Sequence, residues 1–76
     1  METYTLDKLE MNKVAKIESL NCSGDIRRRL LDLGIVKNTF IKPILQSPSG
    51  DPRAFRVRGS TIALRQEDAQ NIIIIE

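Results

Sequence analysis

Between Thr39 and Arg65 the chain alternates apolar and polar residues in three short runs set close together, a grammar that points to a hairpin-built β-sheet. The runs are Thr39 to Leu45, Ala54 to Arg58 and Thr61 to Arg65. A turn through Ser47-Pro48-Ser49-Gly50-Asp51-Pro52 separates the first two, and Gly59, suited to a tight turn or bulge, separates the last two. Phe55 and Val57 alternate with Arg56 and Arg58, while Ile62 and Leu64 alternate with Thr61, Ala63 and Arg65. Each of these strands should therefore have one dry and one wet face. Pro43 cannot donate to a ladder, so the first run is expected to sit at an edge or to carry a bulge.

Two further strands flank this region. Val14 to Leu20 alternates so that Ala15 and Ile17 point inward, and Ile72 to Ile75 is wholly β-branched. Four isoleucines in a row present both faces: two belong to a core, and the other two must be covered or remain exposed. Leu6-Asp7-Lys8-Leu9 and Glu67-Asp68-Ala69-Gln70 each read as one helical turn, with Glu67 and Asp68 expected to be solvated beside Arg65. Asn12 is placed in a turn because asparagine tolerates the left-handed conformation.

A single longer helix is predicted from about Ser23 to Leu33. Ile26, Leu30 and Leu33 fall on one stripe at i, i+4 and i+7, and the helix should bury that stripe because eleven residues are too few to be stable alone. Ser23 suits the N-cap and Asp25 places a negative charge in the first turn. Gly34 stands where a left-handed C′ glycine would, with Ile35 able to pack back onto the last turn.

The chain of 76 residues, with 41% hydrophobic and 29% charged residues, fits one small domain over residues 1–76. The expected fold is mainly β: about five antiparallel strands, with the helix between strands 1 and 2, bent into a barrel that removes its own edges. An open α+β sandwich is the alternative. Cys22 is the only cysteine, so no internal disulfide forms and a reducing, cytoplasmic compartment is expected. The first ten residues lack the basic start and apolar run of a secretory signal. The Ile72 to Ile75 run is far short of the ~20 residues of a membrane-spanning helix, so any action at a membrane is expected to go through a partner.

Ile26-Arg27-Arg28-Arg29-Leu30-Leu31-Asp32-Leu33-Gly34-Ile35-Val36 resembles the helix and glycine turn of the FeoA family, where an arginine-leucine pair leads into an aspartate-leucine-glycine turn. Ile62-Ala63-Leu64-Arg65, with Asp68-Ala69 and Ile72, resembles that family's second signature, and Gly50-Asp51-Pro52 and Leu6-Asp7-Lys8-Leu9 fit its variable and opening turns. Asn12 and Lys37-Asn38 depart from the glycine and proline-glycine usual there; asparagine can still supply the left-handed conformation. The resemblance implies an SH3-like barrel that is cytoplasmic and assists a ferrous-iron permease of the FeoB type, whose cytosolic portion contains a GTPase domain. A similar domain occurs in iron- and manganese-responsive repressors; a repressor role is not expected here, since no helix-turn-helix is read in these residues.

The residues argue against chemistry of the chain's own. Without histidine there is no ready general base, and no phosphate loop or nucleophile elbow is present, so neither catalysis nor a cofactor is expected. Cys22 with Asp25 is the only hint of a metal site, and it lacks the imidazole partners that ferrous iron favours. A nucleic-acid surface built from Arg27, Arg28, Arg29, Arg53, Arg56, Arg58 and Arg65 is the rival reading, weakened by a scarcity of aromatic platforms. Proline-rich peptides would need a groove of tryptophan and tyrosine that the chain cannot build. What remains is a protein-contact patch drawn from Leu31, Val36, Ile73 and Ile75, rimmed by Arg27, Arg28 and Lys37.

Overall fold

Alternation becomes strand wherever a neighbour is available to complete the ladder. A computed structural model describes residues 2–76. It contains β1 (Thr3–Thr5), β2 (Ala15–Leu20), β3 (Phe40–Gln46), β4 (Arg53–Val57), β5 (Ser60–Leu64) and β6 (Ile72–Ile75). A helix α1 (Gly24–Asp32) joins β2 to β3, a short helix α2 (Gln66–Ala69) joins β5 to β6, and a 3-10 turn spans Leu6–Lys8. The strands form one antiparallel sheet in the order β1-β6-β2-β3-β4-β5.

The strand beyond the expected five is β1, whose three residues are too few to display a period. Its pairing of Thr3, Tyr4 and Thr5 with Ile75, Ile74 and Ile73 explains the isoleucine run, because β6 is thereby an interior strand between β1 and β2. Ile72 and Ile74 are fully buried, whereas Ile73 and Ile75 are half-buried on the outer face.

Pro43 lies within an interior strand and uses a bulge, with the register shifting between Pro43 and Leu45. Its carbonyl accepts from the N–H of Asn12 at 2.8 Å, so the missing donor faces the end where β2 has not yet begun. Asn12 and Asn38 both adopt left-handed φ, at 68° and 71°.

The helix departs from expectation. Its C-terminus is a complete Schellman motif: the N–H of Ile35 bonds the carbonyl of Leu30, the N–H of Gly34 bonds that of Leu31, and Gly34 has φ +94°. Leu30 and Ile35 are both fully buried, so this end of the helix is pinned to the core. The rest of the expected stripe is not buried: Ile26 is 45% and Leu33 39% exposed. Only the last turn touches the core, and Ser23 occupies the N-cap without a capping bond from its side chain.

The core runs from Leu6 and Leu9 through Ile17, Leu30, Ile41, Phe55 and Leu64 to Ile72 and Ile74. Among the described residues no ladder joins the outer strands β1 and β5, so the wall is completed by packing at one end. There α2 rests on the 3-10 turn, and Arg53 donates to the carbonyls of Asp7 at 3.2 Å and Leu9 at 2.6 Å. Its guanidinium carbon lies 5.5 Å from the centre of the Phe55 ring, so Arg53 points inward and is withdrawn from the basic surface considered above.

Candidate functional site

Because α1 buries only Leu30, most of it is available as a surface. Arg27, Arg28 and Leu31 line a shallow depression with Gly24 and Asp32, and Leu31 is 38% exposed. Val36 and Lys37 follow in the turn between α1 and β3, half-buried and exposed respectively. Ile73 and Ile75 lie elsewhere, on the outer face of the sheet, where Ile75 borders a depression shared with Lys16, Phe40 and the carboxylates of Glu18 and Glu76. The expected patch is thus divided between a helix face and a sheet face.

Leu33 turns toward β5 and lines a second groove with Arg29, Pro52, Ala63, Leu64 and Asp68. An ion pair between Arg29 and Asp68 crosses this groove. Asp68, expected in solvent, has a side chain only 14% exposed and also accepts from the N–H of Arg65 at 3.4 Å. It ties α1 to α2, a role that sequence spacing of 39 residues does not reveal.

The exposed apolar residues of the sheet escaped the sequence reading. Phe40 is 63%, Leu45 66% and Val14 53% exposed. The signal was present in β3, where burial of Ile41 and Pro43 forces Phe40 and Lys42 outward, but the proline obscured the parity of that strand. Arg56 and Arg58 share the outer face, and Arg53 and Arg29 are engaged elsewhere, so the arginines do not merge into one nucleic-acid surface.

The barrel end bounded by Asp7, Glu10, Gln46, Asp51, Arg53 and Gln66 encloses a depression of about 370 Å³. Its polar groups largely serve the framework: Arg53 holds main-chain carbonyls, and Asp51 accepts from the N–H of Gln66 at 2.9 Å. Asp7 Oδ1 and Arg53 Nε are buried there without partners. Among the described residues no group of three or more His, Cys, Asp or Glu side chains could hold a metal ion. Cys22 is a free, half-buried thiol packed against the core. No helix among these residues is long and apolar enough to cross a membrane.

A bent six-stranded antiparallel sheet with a lightly docked helix defines a small β-barrel. The chain belongs to the FeoA family: the FeoA domain matches residues 4–76. A FeoA-like protein from Clostridium acetobutylicum is 31% identical, with a TM-score of 0.91 over 99% of this chain and 87% of that one. Stenotrophomonas maltophilia FeoA, solved with zinc, is 29% identical, with a TM-score of 0.84 over 93% of this chain and 88% of that one. It is described as a prokaryotic SH3 domain protein and a candidate activating factor for ferrous iron transport. The fold here is SH3-like in the same sense. A manganese-dependent transcriptional repressor shares the fold alone, at 13% identity and a TM-score of 0.88 over 99% of this chain and 37% of that one. No curated protein sequence matches the chain.

Proposed function

We propose that this protein is a cytoplasmic accessory module of ferrous iron uptake, acting without chemistry of its own by docking on the cytosolic GTPase-containing region of a FeoB-type permease. Membership of the FeoA family supports the transport role, and the description of the Stenotrophomonas maltophilia relative supports an activating one. The observation that carries the contact is the exposure of Ile26 and Leu31 on a helix that buries only Leu30. Leu31 beside Arg27 and Arg28, with exposed Lys37 in the turn that follows, supports the reading of an apolar centre with a polar rim. Ile73 and Ile75, on the sheet, are not part of that depression.

Any effect on transport requires unequal affinity for two states of the permease. The test is a titration of this protein against the isolated cytosolic region, once with GDP and once with a non-hydrolysable GTP analogue. Binding in at least one state, lost in Leu31→Asp, is expected. Absence of binding in both states would refute the reading, and binding indifferent to Leu31→Asp would move the contact off the helix.

A further inference from the structure

We propose that the outer face of β3 and β4 is a docking surface for an anionic lipid bilayer. Lys42 stands directly opposite Arg56 on the neighbouring strand, and like charges in that position destabilise a sheet. Neither takes part in an ion pair among the described residues, and β3, β4 and β5 contain no Asp or Glu. A third cation stands nearby, its guanidinium donating to Thr39 Oγ1 at 3.3 Å. Arg58 occupies the two-residue turn between Val57 and Ser60 with φ +51°, a conformation that asparagine or glycine adopts more readily. It shares a depression with Phe40. An anionic ligand on this face would offset the Lys42–Arg56 repulsion.

The apolar residues decide which anion. Phe40 and Leu45, both largely exposed, stand on either side of Lys42 along β3, with the bulge restoring Leu45 to the outer face. Val14, just before β2, is exposed as well. Protein interfaces gather apolar groups at the centre and exclude lysine from it, whereas here cations separate the apolar side chains. Single-stranded nucleic acid needs several stacking platforms, and Phe40 is the only aromatic residue on this face, since Phe55 is buried and Tyr4 lies on β1. A bilayer interface suits the pattern: aliphatic and aromatic tips enter the acyl boundary while lysine and arginine stay among acidic headgroups. Glu18 and Glu76 share a depression with Phe40, Lys16 and Ile75, so the surface ends at Phe40 on the side of β2 and β6 and its cations lie on the opposite side, along β3 and β4.

The test uses vesicles that contain no permease, so its outcome is independent of the helix contact proposed above. The chain contains no tryptophan, and Phe40→Trp therefore provides a single fluorescent reporter on the face. Sedimentation with vesicles of phosphatidylcholine and phosphatidylglycerol, a blue-shifted Phe40→Trp emission and release by added salt are the expected results, with no binding to phosphatidylcholine alone. Lys42→Gln and Arg56→Gln should each weaken binding about five-fold, and Phe40→Ser by about ten-fold. Both charge variants remove a repulsion and should melt no lower than the parent, so lost binding would not reflect lost folding. Equal behaviour on the two vesicle types, or undiminished binding by the Lys42→Gln/Arg56→Gln double variant, overturns the proposal. Retention on single-stranded RNA without retention on anionic vesicles replaces it with the nucleic-acid reading.

Discussion

The Arg53 guanidinium donates a 2.6 Å hydrogen bond to the carbonyl of Leu9, joining β4 to a segment 44 residues away. With its second bond, to the carbonyl of Asp7, it holds the 3-10 turn where no ladder closes the sheet. Arg53→Met keeps the apolar stem over Phe55 but leaves both carbonyls without a charged donor. A loss of about 2 kcal/mol in urea unfolding is expected; a change below about 0.5 kcal/mol would show that water replaces the guanidinium.

The isoleucine strand separates by parity. Ile74→Ala opens a cavity in the core and should cost about 2–5 kcal/mol. Ile73→Ala, one residue away on the outer face, should cost less than about 1 kcal/mol. Denaturant titration of the two variants side by side measures the contrast.

Gly34→Ala tests the helix terminus. A Cβ at this position would have Val57 Cγ1 as its nearest neighbour, at 4.0 Å, so the expected penalty arises from left-handed backbone at φ +94° and not from a clash. About 1 kcal/mol follows, seen as a fall in Tm of about 4–8 °C for a domain of this size.

Tyr4 should ionise above its ordinary value. Burial raises its pKa first, followed by a side-chain hydrogen bond to Glu76 and the negative charge of Glu76, Glu10 and Glu2. Folding therefore favours the neutral phenol. Its stabilising contribution is complete below the unfolded value of 10.0 and is lost as pH rises from there through the higher folded value. Phenolate absorbance of this single tyrosine should titrate above 10.0, and Glu76→Gln should bring the midpoint down.

Lys42→Glu converts the opposed cations of β3 and β4 into an opposite-charge pair. Stability in urea should rise by about 0.5–1 kcal/mol. Sedimentation with anionic vesicles should be abolished in the same variant, which separates the functional use of Lys42 from its structural cost.

Much of the architecture was legible because it is local. The helix terminus at Gly34, the left-handed turns at Asn12 and Asn38, the inward Phe55 and Val57 and the bulge at Pro43 all follow from one or two residues and their immediate neighbours. The family was legible for a related reason: the signatures around Leu30 to Gly34 and Ile62 to Arg65 are contiguous runs. The surfaces were not. Ile26, Leu30 and Leu33 make a stripe that any helical projection would bury, yet only Leu30 meets the core, because where α1 lies depends on β5 and α2. Arg53 and Arg56 look equivalent in sequence but face opposite sides of β4, one spent on carbonyls and the other facing Lys42.

The sequence by itself determined five of the six strands, the helix and its turns, and that the chain belongs to the FeoA family, because backbone conformation and side-chain period act over a few residues. Only the tertiary structure decided which apolar and charged groups remain on the outside. Exposure depends on which segments distant in sequence come to lie across a residue, and β1 over β6, Arg53 against Leu9 and Arg29 beside Asp68 are pairings that no local pattern records.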